Sequence, residues 1–406
     1  MTTLQPIQLI VLQGTAFCNL NCTYCDLSAD SRRIKGRMSA NIIELIFSQL
    51  FAGRRLAPEV TVVWHSGEPL TLPPAYYDAT IAQILRLRDE HNRHDIAVRF
   101  DFQTNGVLIN RAWCEFFKRH AEVVDLGVSC DGPEDLHDRY RRNWSNRASH
   151  AETLRGMNLL QEYGIKYNII AVVTRPTLSA VERFYDFFFT RRDHISGFHF
   201  NILADSGSQV DDLGYSDLDR ASYYRFFRTL LSLSQSSQDA GEVFKIRNFA
   251  HGFSRIAASQ SRDAPDYLRE ASAPLRCLNV EVNGVVSTFY AGLTAEVLPD
   301  LYGDGRGLSL GNIQTTTIEE MVQSEKLAAI MADFQVSATA CRTTCEYAAV
   351  CTGGFEITKR LAHGRFDSGE TVECSIHIKA LTDALLDDIE DHLNSSDLLL
   401  AEAQPA

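Results

Sequence analysis

The sequence predicts an α/β fold: a parallel sheet built from six strand-helix units, followed by a smaller α+β unit. Three observations predict it. Apolar, β-rich runs alternate with helix-period segments six times within the first 240 residues. Polar, glycine-containing segments follow the strands directly, as the loops at the active face of a parallel sheet do. After residue 240 the alternation stops, and "VEVNGVV" reads as a hairpin turning at Asn283-Gly284.

The first unit is "IQLIVLQ", a polar cysteine-bearing loop, and "SANIIELIFSQLFAG", a helical pattern with Ser39 as its cap and Gly53 at its end. "EVTVVW" then precedes a helix over 74–93, "AVRFDF" one over 110–120, and "VVDLGVS" one over 149–163. "KYNIIAVVT" leads to 177–191 and "GFHFNIL" to 221–237. Apolar strands covered by helices favour a barrel-like arrangement over an antiparallel sandwich, while a doubly wound sheet has the same periodicity. The expected division is a core over 1–240, a bridging region over 241–270, a second domain over 271–376, and a C-terminal helix and tail over 377–406, opened by "SIHIKALTDALLDDIEDHL".

Composition narrows the function. A net charge of -13 argues against nucleic acid, whose phosphates need clustered Lys and Arg. No apolar run reaches the length of a membrane span, and "MTTLQPIQLIVLQ" lacks the regions of a signal peptide, so a cytoplasmic protein is expected. Ten cysteines, clustered toward both ends, then point to metal sites rather than disulfides.

"FCNLNCTYCDL" places Cys18, Cys22 and Cys25 at C-x3-C-x2-C spacing. Three soft ligands on one loop suit a metal or cluster with one coordination position left open for chemistry. A structural zinc would close its tetrahedron with a nearby Cys or His, and His65 is the nearest histidine. "HSGEP", "QTNG" and "SCDGP" follow later strands and converge on the same face. Taken singly, Asn105 and Asp131 read as turn caps, Cys114 and Cys130 as buried apolar residues, and "HDRYRR" as a solvated charged loop or a carboxylate-binding rim. Near the other end, "CRTTCEYAAVCTGG" and "VECSIH" supply Cys341, Cys345, Cys351 and Cys374, enough to close an iron-sulfur cluster or a four-cysteine zinc site.

The C-x3-C-x2-C loop with Tyr24 before its last cysteine resembles that of the radical S-adenosylmethionine (SAM) enzymes. The resemblance implies a partial (β/α)6 TIM-like barrel, with the three cysteines holding a 4Fe-4S cluster whose open iron binds SAM. An external donor then supplies the electron that cleaves SAM to a 5'-deoxyadenosyl radical. "SGEP" (Ser66, Gly67, Glu68, Pro69) resembles the family's GGEP segment at the methionine ammonium, Ser66 being a mild replacement for glycine. Thr104, Asn105, Ser129 and Asp131 lie in segments resembling those that hold the ribose and carboxylate in the sulfatase-maturase-like branch; Asp131 is on the face where a general base is needed, but the resemblance gives it to the cofactor site, so the base is unassigned.

The C-terminal cysteine run, behind a Cys-plus-hairpin segment, resembles a SPASM-type auxiliary-cluster domain. A complete one has seven cysteines for two clusters; here "VVSTFY" and "TGGF" stand where two would fall, so one auxiliary cluster is expected, with Cys277 a spare or an alternative ligand. "WHSGEPL", "SCDGPEDLHDRYRR" and "CEYAAVCTGGFEITKRLAHGRFDSGETVECSIHIKALTD" together resemble the three-residue cyclophane-forming peptide maturases paired with glycine-rich-repeat precursors. That implies a ribosomally made precursor peptide as partner. With seventeen residues ahead of Cys18, leader recognition is expected within the two domains or in another protein.

Overall fold

The computed structural model describes residues 4–202, 220–261, 266–269, 273–290 and 294–402; Leu203, the last residue of the sixth predicted strand, and the tail beyond 402 lie outside them. In chain order the first half runs β1 (Ile7–Leu12), α1 (Ala40–Ala52), β2 (Leu56–Trp64), α2 (Pro74–Glu90), β3 (Ala97–Thr104), α3 (Arg111–Arg119), β4 (Val124–Ser129), α4 (Glu134–Tyr140), α5 (His150–Glu162), β5 (Tyr167–Val173), α6 (Arg175–Leu178), α7 (Val181–Phe189), β6 (Ile195–Ile202) and α8 (Arg220–Asp239). Strands β1 to β6 lie side by side in sequence order and every neighbouring pair is parallel. A doubly wound sheet would reverse its order at a switch point. This one does not, and β6 and β1 do not pair, so the barrel is partial.

The alternation along each strand explains what fills it. In β3, Val98, Phe100 and Phe102 are buried under the helices, whereas Arg99, Asp101 and Gln103 point to the opposite, concave face. Phe102 sits at the centre of an aromatic cluster, with ring centroids 4.7 Å from Trp64, 4.8 Å from Tyr77 and 5.6 Å from Phe116. The Ser39 side chain caps α1 by accepting from the Ile42 N–H at 3.3 Å.

The second half contains α9 (Arg247–Ser259), β7 (Cys277–Val280), β8 (Val285–Thr288), β9 (Gly311–Asn312), α10 (Ile318–Val322), α11 (Glu325–Thr344), α12 (Glu356–His363), a π-helical turn over Cys374–Ala380, and α13 (Leu381–Glu402). The hairpin turns at Asn283-Gly284: Gly284 has φ +87°, a conformation glycine adopts without strain, and the Asn283 side chain accepts from Val285 N–H at 3.1 Å. The hairpin does not form a sheet of its own. Its strand β7 pairs in parallel with β1, so the barrel strands and the hairpin make one nine-stranded sheet. At the opposite edge, Ile246 bridges to Phe198 of β6, and Asn248 both donates to and accepts from the Phe200 backbone. Helix α13 lies along α8, with Arg220 paired to Asp383, Tyr224 donating to Asp387, and Arg228 paired to Asp391. None of the described helices is long and apolar enough to cross a membrane.

Phe102→Ala empties the centre of the aromatic cluster, and a loss of about 3–5 kcal/mol of unfolding free energy is expected. Denaturant titration checks it, and a loss below about 1 kcal/mol would show that the cluster collapses around the gap.

Candidate active site

The loop after β1 carries Cys18, Cys22 and Cys25 at the carboxyl end of the sheet. Backbone bonds set its shape: Cys25 N–H donates to the Cys22 carbonyl at 3.3 Å, and Cys18 N–H to the Arg32 carbonyl at 3.0 Å. Arg32, 5% exposed, returns its guanidinium to the Leu27 and Leu20 carbonyls. Trp144 Nε1 holds the Cys18 carbonyl at 2.8 Å and its ring stacks beneath Arg33. Neither Arg32 nor Trp144 was picked out from the sequence, because loop-binding side chains carry no periodicity.

Burial raises all three thiols, Cys22 to about 11, and Glu68 pushes Cys18 up further. Thiols held this way stay protonated at neutral pH unless a cation replaces the proton. The loop therefore fits a metal cluster, which draws out thiolates that burial otherwise forbids.

The loop after β2 reaches the same place by strained backbone. Ser66 has φ +64° and Gly67 φ +135°; a Cβ at Gly67 would meet the Thr15 carbonyl oxygen at 2.1 Å. Ser66 occupies a left-handed position that costs a residue with a Cβ about 1 kcal/mol, so its replacement of glycine is less mild than the sequence implies. Glu68 is 2% exposed, and both carboxylate oxygens are taken: Oε1 by Thr104 Oγ1 at 2.7 Å and Leu70 N–H at 2.9 Å, Oε2 by Asn105 N–H at 2.8 Å. Burial raises its pKa to about 7 against those three donors. It ties the β2 loop to the β3 loop. Asn105 in turn donates to Asn19 at 2.8 Å in the cysteine loop, and Ser129 accepts from Gln103 Nε2 at 2.9 Å on the concave face.

Asp131 is the most heavily bonded side chain of the site. Its Oδ2 accepts from Arg141 Nε at 2.9 Å and from the Tyr24 hydroxyl; its Oδ1 accepts from Arg141 Nη2 at 3.1 Å and Val172 N–H at 2.9 Å. Four donors fill the four lone-pair sites of a carboxylate. Asp131 N–H meets His137 Nδ1 at 3.3 Å, and His137 Nε2 meets Ser149 Oγ at 3.2 Å. The solvated reading of "HDRYRR" fails here: His137, Tyr140 and Arg141 are buried, and Arg141 pairs with Asp131 inside the protein. Cys114 and Cys130 are 0% and 1% exposed, as expected of apolar fillers.

The other four cysteines meet in a second place. Cys341, Cys345, Cys351 and Cys374 line one cavity of about 40 Å³ with Leu268, Phe355, Lys359 and Ile378, drawing on chain both before and after the expected second domain. Among the described residues no three His, Cys, Asp or Glu side chains converge on a single-ion site; these four instead frame a space. Burial raises Cys351 to about 12 and also lifts Cys374. Among the described residues three donors reach the sulfurs: Gly353 N–H to Cys351 at 3.4 Å, Thr371 Oγ1 to Cys374 at 3.4 Å, and Lys359 Nζ to Cys341 at 3.0 Å. Cys277 does not line this cavity; it begins β7 beside β1, with its sulfur 3.9 Å from Asn279 Oδ1.

Comparison with known proteins agrees with this geometry. Residues 12–188 match the family described as the radical SAM superfamily. An uncharacterised protein of a Synechocystis species is 31% identical over 97% of this chain and 94% of that protein. The serine-type anaerobic sulfatase-maturating enzyme of Bacteroides thetaiotaomicron is 32% identical over 45% of this chain and 44% of that enzyme. Two solved structures share the fold: anSMEcpe with bound AdoMet and Kp18Cys peptide, at TM-score 0.73 and 20% identity over 96% of this chain and 99% of that one, and Streptococcus suis SuiB bound to precursor peptide SuiA, at 0.62 and 15% over 91% and 76%. A three-cysteine loop at the carboxyl end of a partial parallel barrel, in a chain with these relatives, makes this protein a member of the radical SAM superfamily, an enzyme whose cofactors are SAM and a 4Fe-4S cluster.

Proposed function

We propose that this enzyme is a peptide maturase that joins an aromatic ring carbon of one residue to the β-carbon of the residue two positions later, in a ribosomally made precursor. The observation that carries the reading is the second cysteine cavity, set in the same chain as the first cysteine loop. Forming such a crosslink requires a hydrogen atom to be removed, and then one electron and one proton to leave the ring. When bound, SAM and the two clusters supply the 5'-deoxyadenosyl radical for the first event and an acceptor for the electron of the second.

The residues divide accordingly. Cys18, Cys22 and Cys25 would hold the SAM-binding cluster, supplied by an external electron donor. Ser66 to Pro69, Thr104, Asn105 and Ser129 would line the SAM site, with Glu68 and Asn105 fixing the loops against one another. Tyr24 and Asp131 position the cysteine loop. With four donors on its oxygens, Asp131 has no lone pair left for a substrate proton, so the base for the ring proton stays unassigned. Cys341, Cys345, Cys351 and Cys374 would hold one auxiliary cluster, with Cys277 a spare thiol. The division into a radical core over 1–240 and an auxiliary-cluster domain over 271–376 is kept as part of this reading. All ten cysteines are free, in keeping with a reducing, cytoplasmic setting. At the β6 edge Ile246 and Asn248 already hold Phe198 and Phe200, so a precursor strand does not add there.

Similarity to a sulfatase-maturating enzyme favours a second reading, oxidation of Ser or Cys to formylglycine. Anaerobic incubation with SAM, reductant and a precursor containing aromatic-x-x motifs separates the two. The expected product lacks two hydrogens, resists aldehyde reagents, and gives no backbone fragments between the joined residues in tandem mass spectrometry; a hydrazide-reactive product would establish formylglycine instead. Asp131→Ala should remove about 3–5 kcal/mol of stability by leaving the buried Arg141 unpaired. Denaturation under argon measures this, and a loss under about 1 kcal/mol would show the pair to be peripheral.

A further inference from the structure

Lys359, on α12, is 1% exposed. Burying an ammonium is costly unless strong acceptors surround it. Its Nζ donates to Cys341 Sγ at 3.0 Å, Ser337 Oγ at 3.0 Å and the Ser337 carbonyl at 3.5 Å. Ser337 and Cys341 are one turn apart on α11, so that face of the helix offers both acceptors to one cation. The backbone brings α12 there through Gly353, whose φ is +72° and where a Cβ would meet the Leu268 carbonyl oxygen at 2.0 Å. The other lysine lining this cavity, Lys379, is paired with Glu370 at 2.8 Å.

We infer that Lys359 raises the reduction potential of the cluster held by Cys341, Cys345, Cys351 and Cys374. The inference rests on the auxiliary-cluster part of the proposed function. A 4Fe-4S core on four thiolates carries net charge -2 when oxidised and -3 after taking one electron; no bond breaks and no proton moves. A buried positive charge in contact with one ligand sulfur stabilises the more negative state, and poor solvation leaves that attraction largely unscreened. Hydrogen bonds to the sulfurs and local charge are the levers by which proteins set cluster potentials. Gly353 N–H and Thr371 Oγ1 supply neutral donors to the Cys351 and Cys374 sulfurs; Lys359 adds charge at Cys341. Its role is to make this cluster the electron's destination.

The test is an EPR-monitored redox titration of the second cluster alone, in a chain where Cys18, Cys22 and Cys25 are all replaced by alanine. Lys359→Met should lower the equilibrium constant for reduction at least tenfold, a shift of 59 mV or more toward negative potential for one electron. Lys359→Arg, which keeps the cation, should restore most of it. If Lys359→Met fails to assemble a cluster, Lys359→Gln, a donor without the charge, carries the same test. A change under twofold in the constant with an intact cluster overturns the inference. Absence of any iron-sulfur signal in the parent triple variant overturns the auxiliary-cluster reading beneath it.

Discussion

The buried ion pair between Asp131 and Arg141 is the contact on which the active face depends. Asp131 lies in the loop after β4, Arg141 caps the end of α4, Val172 belongs to β5, and Tyr24 stands between Cys22 and Cys25. One carboxylate thus fixes three separate pieces of chain: the cysteine loop, the segment from the β4 loop through α4, and β5. Such a pair adds little net stability over an apolar substitute of the same shape, since desolvation of both ions offsets their attraction. What it contributes is position: four donors from separate elements meet at one carboxylate. Arg141 also lies over the Tyr24 ring at 5.4 Å and lowers the pKa that burial raises at Cys22, so the same cation prepares the loop for thiolates.

A second constraint is the position of β1. It pairs with β2 on one side and β7 on the other, and its carboxyl end leads straight into the cysteine loop. Because β7 continues the sheet, the hairpin's place is set by backbone hydrogen bonds to the strand that launches the active site. The cavity of the four C-terminal cysteines is then closed by Leu268, by α11 and α12, and by the π-helical turn that begins at Cys374.

Much of this was legible in the sequence. Period-2 apolar runs and the Asn283-Gly284 turn marked the strands and hairpin, because side-chain alternation and positive φ leave a local imprint. Cysteine spacing marked the first site. The rest depended on contacts between distant residues. The alternatives for Arg141 and His137, a solvated loop or a carboxylate-binding rim, stayed open because a charged run of six residues looks the same whether or not a carboxylate lies opposite it. Lys359 sat unnoticed in "EITKR", since a lysine's burial is decided by what lies opposite it. Helix α9, which covers the β6 edge, carries its buried Phe249, Gly252 and Ile256 at helical spacing, yet the stretch reads only as a bridging region because no βα alternation frames it; Ser66 concealed its left-handed backbone because the residue type alone does not report it.

The central claim is that both cysteine sets hold iron-sulfur clusters in one chain. Iron, acid-labile sulfide and zinc counted per chain on protein reconstituted without oxygen test it most directly. Two 4Fe-4S clusters give about eight irons, about eight sulfides and no zinc, and that content is expected. About four irons with one zinc would leave the SAM site standing and contradict the account, since a zinc ion in the second cavity takes up no electron.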